Sequence, residues 1–299
     1  MSIYIETARK GFLKEKIYKA GEILKCCTLC PRKCLVDRLS GETGVCKTGT
    51  YAFVSSYSPH YGEEAPLVGR YGSGTIFFTH CNLMCNFCQN YEISHQGYGR
   101  AVNDAELADI MITLQNRGCH NINFVTPTHV IPQILSALEK SIEKGLSIPL
   151  VYNTGSYDCV ESLKLLDGII DIYMPDFKFI NENISEITCD AKDYAEKAKP
   201  AILEMHKQVG DLIIDNEGIA ERGLLIRHLV LPDDIANTRA IMKFITEEIS
   251  TNTYINIMPQ YRPYGSAYKI AGLDKCPTST DFINALEIAT NNGLHRGIQ

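Results

Sequence analysis

The sequence predicts an α/β fold, an open, partial (β/α)6 barrel preceded by a cysteine-rich amino-terminal extension. Beyond residue 70, short apolar runs alternate with amphipathic helical patterns, which is typical of a parallel sheet with right-handed crossover connections. The runs are apolar at nearly every position, as strands covered on both faces are. Six strand–helix units are too few to close an eight-stranded barrel, so we expect the sheet to stay open.

Six apolar runs are predicted to form the strands: Thr75–Phe78, Ile122–Thr126, Pro149–Asn153, Ile169–Met174, Leu224–Val230 and Tyr254–Met258. The first helix between them has Asn103 as its N-cap residue and Gly118 as its stop. A second helix carries apolar residues at helical spacing from Ile134 onward and ends at Gly145. Further helices are predicted at Asp193–Val209, Asp233–Ile249 and Thr278–Asn291.

The chain is predicted to have two parts. In residues 1–70, apolar residues between Leu13 and Leu24 share a helical face, and a cysteine-rich stretch from Cys26 to Cys46 shows little periodicity. Residues 71–299 form the barrel, whose active site is expected at the carboxyl ends of its strands.

Composition and charge argue against several classes of protein. The chain has 299 residues and a net charge of −6, so its electrostatics do not favour binding to a nucleic-acid backbone. No apolar stretch approaches the length of a membrane span, and the amino terminus lacks the features of a signal peptide. We therefore expect a cytoplasmic protein. In that reducing compartment the 12 cysteines indicate metal binding rather than disulfides.

Three closely spaced cysteines follow the first predicted strand. Cys81, Cys85 and Cys88 have the spacing C-x3-C-x2-C, which suits an iron–sulfur cluster held by thiolates. Three thiolates are one short of the four that saturate a cubane cluster, and an open position is a mark of catalytic metal sites. A zinc knuckle or a chance grouping is the alternative, but zinc sites usually need four ligands.

The later strands all end in polar residues. The five groups are Thr126, Thr128 and His129; Asn153, Thr154 and Ser156; Asp176 and Lys178; Arg227 and His228; and Gln260, Tyr261 and Arg262. One such residue alone is usually a cap or a surface ion pair. Groups in register around one rim instead predict a binding site. Arg227 lies within an apolar strand and needs a partner, for which a carboxylate suits its planar fork.

These features resemble the radical S-adenosylmethionine (SAM) superfamily. Within it, the chain is similar to the pyruvate formate-lyase activating enzyme family, and to an uncharacterised iron–sulfur branch of it with a cysteine-rich amino terminus. The similarity rests on Cys-Asn-Phe-Cys-Gln-Asn-Tyr, Thr-Pro-Thr-His, Pro-Asp-Phe-Lys, Arg-His-Leu-Val-Leu-Pro, Met-Pro-Gln-Tyr-Arg-Pro and Cys-Pro-Arg-Lys-Cys. It implies a 4Fe–4S cluster, SAM, an electron donor such as flavodoxin or ferredoxin, and a 5′-deoxyadenosyl radical that abstracts hydrogen, with a glycyl-radical protein as one substrate.

The resemblance also implies residue roles. Cys81, Cys85 and Cys88 would ligate the cluster. Of the cofactor residues, Phe87 would meet the adenine through its backbone and Asn90 would contact SAM. Asn153 and Thr154 would lie near the methionine or ribose portion, Asp176 and Lys178 near the SAM polar groups, and Arg227 at the SAM carboxylate.

The second predicted strand departs from the activating-enzyme pattern. Those enzymes usually carry a Gly-Gly-Glu run for the SAM amino group, whereas this chain has Pro127, Thr128 and His129. Thr126 and Thr128 can accept hydrogen bonds in its place. His129 is equally well explained as a structural histidine.

A second group of cysteines lies in the amino-terminal segment. Cys27, Cys30, Cys34 and Cys46 supply four ligands, with Cys26 to spare. An auxiliary iron–sulfur cluster, a structural zinc and an empty group of reduced thiols all remain open. The spacing is not that of a zinc ribbon, and so small a segment would gain folding energy from a metal. The scattered Cys119, Cys159, Cys189 and Cys276 are predicted to serve packing.

Three functions compete. The first is a radical enzyme that activates a glycyl-radical protein, and the second is a radical enzyme acting on a small metabolite, peptide or nucleoside. The third is an electron-transfer protein without SAM chemistry, which has no need for a polar rim. The loop with His60, Tyr61, Glu63 and Glu64 either reaches the barrel mouth or is solvated, and we predict the solvated loop.

Overall fold

The computed structural model describes residues 2–298, which contain one mixed sheet and helices on its outer side. The strands are β1 (Ala52–His60), β2 (Ser73–Phe78), β3 (Arg100–Val102), β4 (Ile122–Val125), β5 (Leu150–Thr154), β6 (Ile172–Pro175), β7 (Ile213–Ile214), β8 (Ala220–Leu229) and β9 (Tyr254–Met258). The helices are α1 (Ile3–Arg9), α2 (Phe12–Ile23), α3 (Ala65–Val68), α4 (Tyr91–Ser94), α5 (Asp104–Asn116), α6 (Ile131–Glu143), α7 (Val160–Lys164), α8 (Glu182–Cys189), α9 (Tyr194–Val209), α10 (Thr238–Phe244) and α11 (Ser279–Asn291).

Six parallel strands form the centre of the sheet, in the order β2-β4-β5-β6-β8-β9. They coincide with the six predicted runs, and their order follows the chain, as right-handed strand–helix units require. Side chains from five of these strands, and Asp176 directly after β6, line a single cavity, so the sheet curls around it. The predicted α/β class and partial barrel are therefore confirmed.

The helices between the strands begin and end where local chemistry predicts. The Asn103 side chain accepts from the N–H groups of Ala105 and Glu106. The Glu106 carboxylate in turn accepts from the Asn103 N–H, which completes a capping box. Gly118, with φ +87°, follows the end of α5. The helix predicted from Asp233 begins only at Thr238, because left-handed residues at Asp233, Asp234 and Asn237 interrupt the chain before it.

Three strands were not predicted: β1 and β3 on the β2 side of the sheet, and the short β7, which pairs antiparallel with β8. β1 pairs antiparallel with β2, and β3 pairs antiparallel with β1. In that register His60, at the end of β1, lies opposite Ser73, at the start of β2. The residues that follow β1 therefore lie at the amino ends of the barrel strands, opposite the end that carries Cys81.

The amino-terminal helices share the main hydrophobic core, to which Tyr4, Leu13 and Leu24 contribute. The Tyr4 hydroxyl donates to the carbonyl of Ile148, 2.9 Å away. The division of the chain at residue 70 stays a prediction, although β1 belongs to the barrel sheet. No helix in residues 2–298 is both long and apolar enough to cross a lipid bilayer.

Candidate active site at the carboxyl ends of the strands

A large polar cavity lies inside the barrel. It encloses about 1390 Å³ including its open mouth. Five residues that the sequence predicted as cofactor ligands at strand ends line it: Thr126, Asn153, Thr154, Asp176 and Lys178. Arg227 from β8 lines it as well, so the parallel strands bring six predicted residues to one place.

The three closely spaced cysteines lie on the wall of the same cavity. Their loop is held in an uncommon conformation, because the residues just before two of them, His80 (φ +63°) and Met84 (φ +58°), are left-handed. The Leu83 N–H donates to the Cys81 sulfur at 3.3 Å. Desolvation raises the pKa of the Cys81 thiol to about 12, so binding iron there requires the release of thiol protons.

These thiols fit a cubane cluster better than a single ion. Within residues 2–298, no three His, Cys, Asp or Glu side chains converge as the ligands of one metal ion do. A 4Fe–4S cluster does not require that convergence, because each thiolate binds a different iron. Three thiols on the wall of an open cavity leave room for a fourth, exchangeable ligand.

A network of buried charges forms the other side of the cavity. The Arg227 Nε donates to Asp176 Oδ1 at 2.7 Å, and its Nη2 donates to Asn153 Oδ1 at 2.8 Å. Its Nη1 lies 3.4 Å from Glu63 Oε2 and 3.6 Å from Glu64 Oε1. The carboxylate partner that the sequence required for Arg227 is thus supplied by the protein itself.

Lys178 completes this network with Asp176. Its Nζ donates to Asp176 Oδ2 at 2.7 Å. Burial acts to raise the pKa of Asp176, but Arg227 and Lys178 outweigh it and hold that pKa below its ordinary value. Asp176 is therefore an anion shared by two cations.

The comparison with known proteins agrees with this geometry. The sequence model of the radical SAM superfamily matches residues 75–216, which run from β2 to beyond α9 and include all three cysteines. The chain is 33% identical to the uncharacterized protein MJ0674 of Methanocaldococcus jannaschii over 300 aligned positions, which cover 97% of this chain and 82% of that protein. The chain belongs to the radical SAM superfamily. Membership implies an enzyme of oxidoreductase type that uses a 4Fe–4S cluster and SAM.

In this radical SAM protein an acidic pair closes the floor of the barrel. Glu63 and Glu64 follow β1, and their side chains are only 9% and 6% exposed. Glu63 lines the cavity with His60, and Glu64 accepts from Asn256 Nδ2 at 3.0 Å. Burial raises the pKa of Glu63 to about 7, against the opposing effect of Arg227. The prediction of a solvated loop is wrong for both glutamates, because the antiparallel β1 delivers them into the barrel; Tyr61 alone is largely exposed.

Thr128 does not line the radical SAM cavity. Its hydroxyl donates to Asp158 Oδ1 at 2.8 Å, and only 2% of the residue is exposed. Thr154, which does reach the cavity, donates to Asp158 Oδ2 at 2.6 Å. Thr126 has φ +60°, which turns the chain between Thr126 and Thr128 and separates their side chains. The prediction of Thr128 as a cofactor ligand is therefore corrected to a buried structural hydroxyl.

The residues beside the cysteines line the mouth. Phe87 is 5% exposed and packs edge-on against Tyr261 and Phe179, whereas Asn90 is exposed at the start of α4. Both border the cavity. His228 is buried, donates from Nδ1 to the Phe177 carbonyl at 2.9 Å and takes no part in the site.

One thiol near the predicted ligands was missed by sequence reasoning. The Cys189 sulfur, at the end of α8, lies 3.3 Å from the Cys85 sulfur. Its sequence position, 104 residues from Cys85, carries no spacing signal. The acidic pair had a weak signal, two adjacent carboxylates in Gly-Glu-Glu-Ala-Pro, but nothing in the sequence placed it inside the barrel.

The amino-terminal cysteines line a separate, smaller cavity. Cys27, Cys30, Cys34 and Cys46 border it together with His129. Burial lowers the pKa of His129 to about 3, so its ring is neutral. The four cysteines that spacing selected are thus brought to one place, and Cys26 is exposed outside it.

Proposed function

We propose that Cys81, Cys85 and Cys88 hold the 4Fe–4S cluster of this radical SAM enzyme and that SAM binds in the barrel cavity beside them. The observation that carries this proposal is that three thiols and the polar ends of five strands border one cavity. A cavity of this kind is where a cofactor would bind in a β/α barrel.

The geometry favours Lys178 rather than Arg227 for the SAM carboxylate. Arg227 already donates to Asp176 and Asn153 and faces two glutamates. An ammonium group has three N–H donors, and Asp176 takes one from Lys178. Lys178 borders the same cavity as the cysteines and retains donors for a bound anion. Arg227 then serves as the cation that fixes Asp176 and Asn153.

The remaining predicted residues fit the rest of the cofactor. Thr126 offers a hydroxyl for the amino group at the position where the Gly-Gly-Glu run is missing. Phe87 and Asn90, at the mouth, suit the adenine end. Held by Cys81, Cys85 and Cys88, a reduced 4Fe–4S cluster would supply the electron for the reductive cleavage of SAM, and with it the radical chemistry of hydrogen abstraction. We propose that this electron comes from a flavodoxin or a ferredoxin.

For the substrate, the resemblance to activating enzymes supports a glycyl-radical protein as the first candidate. A second candidate, a small polar molecule or peptide, is favoured by the floor of the cavity. Glu63 reaches that floor with a pKa near 7, so it can accept or donate a hydrogen bond to a polar group. A bare backbone glycine has no need of an ionisable floor.

Anaerobic reconstitution tests the proposal. With dithionite and SAM, the protein should release 5′-deoxyadenosine. An intact cluster in the EPR spectrum without any deoxyadenosine would refute the assignment. The substrate is then tested by transfer of deuterium from labelled candidates into the deoxyadenosine, with a glycine-labelled glycyl-radical protein as one arm and extracted small molecules as the other.

A further inference from the structure

The amino-terminal cysteines form a cluster that the radical SAM site does not explain. Four thiols from 20 residues of chain border a cavity of about 340 Å³ including its opening, and three of them, Cys27, Cys30 and Cys46, are each 8% exposed. No regular secondary structure except one short 3₁₀ turn supports residues 24–51. The four thiols therefore border one cavity although no strand or helix holds them in place.

The backbone around these thiols has the form of a metal-binding loop. The Cys34 sulfur accepts a hydrogen bond from a backbone N–H group across the loop. The Leu83 N–H bonds to Cys81 in the same way at the barrel cluster site. Hydrogen bonds from the backbone to sulfur favour thiolates over thiols.

Close packing and backbone strain are concentrated at the same residues. Lys33, Leu35 and Lys47, which flank Cys34 and Cys46, are left-handed. A Cβ atom on Gly44 would lie 2.5 Å from the Cys34 sulfur, so only glycine allows the loop to close on that thiol. The Val45 N–H donates to the same sulfur at 3.4 Å.

A buried cation beside these thiols has no carboxylate partner. Arg38 is 1% exposed, and its guanidinium donates to the carbonyls of Gly49 and His129. Its Nη1 lies 4.0 Å from the Cys27 sulfur. Among the described residues no carboxylate interacts with it. A buried charge needs a compensating charge, and metal-bound thiolates carry a net negative one.

His129 adds an unpaired acceptor. Its Nε2–H donates to the Thr79 carbonyl at 2.9 Å, so Nδ1 carries the lone pair. That Nδ1 is buried and has no hydrogen-bond partner, and His129 borders the cavity of the four thiols. A buried nitrogen acceptor without a partner is costly unless something occupies the space that it faces.

We propose that Cys27, Cys30, Cys34 and Cys46 hold a second thiolate-bound metal centre, with Arg38 as its counter-charge. Four thiolates can bind either zinc or an iron–sulfur cluster, and sulfurs that do not converge on one point suit the cluster better. The sulfurs do not converge as single-ion ligands do, but the same is true of Cys81, Cys85 and Cys88.

The centre has a mechanical link to the barrel. Arg32, between Cys30 and Cys34, donates from Nε to the Asn82 carbonyl at 3.0 Å and from Nη2 to the Cys189 carbonyl at 2.6 Å. Its guanidinium also lies over the Tyr157 ring, 5.2 Å from the centroid. The amino-terminal loop therefore holds the loop that carries Cys81 and Cys85, and a metal that orders the first loop also orders the second.

The test uses the full chain with the first site removed. The variant Cys81→Ala/Cys85→Ala/Cys88→Ala is loaded anaerobically either with ferrous iron and sulfide or with zinc alone, and bound metal is counted. We expect about four irons with sulfide, or about one zinc, per chain. Neither metal above background in this folded variant would overturn the proposal, whatever the fate of the SAM site.

Two further sets of variants make the result specific. Adding Cys34→Ser to the triple variant should remove the metal, whereas adding Cys26→Ser, at the exposed neighbouring thiol, should leave it. Equal retention or equal loss in these two contradicts the ligand set. Arg38→Met should speed the loss of metal to a chelator by about 10–100-fold, with Arg38→Lys in between. An unchanged rate in Arg38→Met, with far-UV circular dichroism unchanged, would exclude the counter-charge role.

Discussion

The two cysteine groups of this chain differ in what surrounds them. Cys81, Cys85 and Cys88 open onto a cavity of about 1390 Å³ bordered by charged and polar strand ends. The amino-terminal four border a smaller cavity of about 340 Å³ including its opening, together with apolar side chains and the basic Arg32, Lys33 and Arg38. The first group has three thiols and access for a further ligand, and the second has four thiols and almost none.

The difference matches the distinction between catalytic and structural metal sites, in which a catalytic site keeps a position open and a structural site is closed. The barrel surrounds its cysteines with polar side chains because six strands end at one rim. The amino-terminal loop has no comparable set of strand ends around its cysteines. We infer that the barrel group carries the reaction and that the second centre orders the loop tied to it through Arg32.

The largest effect is expected from the barrel cysteines. Cys85→Ala should lose about four irons at that site and all release of 5′-deoxyadenosine, because a ligand of the cluster is removed. The measurement is iron content together with product formation. Cys189→Ala is the matched control, since its sulfur lies 3.3 Å from that of Cys85, and it should keep both iron and activity. Wild-type turnover in Cys85→Ala would contradict the ligand assignment.

Asp176 carries the next largest effect. Asp176→Ala removes the carboxylate shared by Arg227 and Lys178, whose side chains are 15% and 16% exposed, and leaves two partly buried cations without it. We expect the free energy of unfolding to fall by about 3–5 kcal/mol, measured by urea denaturation of the metal-free protein. The control is Asp109→Ala, which breaks the exposed pair with Lys144 and should cost at most about 1 kcal/mol. Similar losses in the two variants would mean that the cavity charges are well solvated.

Glu63 should make stability depend on pH. The folded protein keeps the Glu63 proton up to about pH 7, whereas the unfolded chain releases it near 4.5. The resulting stabilisation is present below pH 4.5 and is lost as the pH rises to 7. Above pH 7 the wild-type protein therefore lacks this contribution to its free energy of unfolding. Glu63→Gln should therefore be close to wild type at pH 5 and more stable by up to about 3 kcal/mol at pH 8. The exposed Glu6→Gln should show no such divergence, and parallel curves for Glu63→Gln and wild type would contradict the burial of its charge.

Lys178 separates the two assignments for the SAM carboxylate. Lys178→Met should weaken SAM binding to the cluster-loaded protein by about tenfold or more, since a charged hydrogen bond contributes about 1.5–3 kcal/mol. Equilibrium dialysis with labelled SAM measures it, and Lys178→Arg should restore part of the affinity. If SAM binds Lys178→Met as tightly as wild type, the carboxylate lies elsewhere and Arg227 returns as the candidate.

Much of the fold was predictable because its signals are local. The capping box at Asn103 and the continuous apolar strands each depend on residues close in the chain. The convergence of Asn153, Asp176 and Arg227 was predictable for a different reason, since parallel strands end on one side of a sheet. The sequence predicted that the partner of Arg227 is a carboxylate. It did not predict that Asp176 and two glutamates provide that carboxylate.

The unpredicted parts depend on contacts between distant residues or on a single backbone angle. Glu63 enters the barrel because β1 runs antiparallel to β2, and no local pattern shows that pairing. Cys189 meets Cys85 through the packing of α8, which leaves no trace in cysteine spacing. Thr126 and Thr128 look equivalent in the sequence, and only the left-handed Thr126 sends them to different surroundings.

The pair of threonines gives the smallest expected effect and the sharpest test of that angle. Thr128→Val removes the hydroxyl that donates to Asp158 and should lower the free energy of unfolding by about 1 kcal/mol without changing SAM affinity. Thr126→Ala should weaken SAM binding without changing the free energy of unfolding, because Thr126 borders the cavity and Thr128 does not. Urea denaturation and SAM dialysis on both variants measure the two quantities. A loss of SAM affinity in Thr128→Val alone would mean that the strand turns its second threonine, not its first, toward the cofactor.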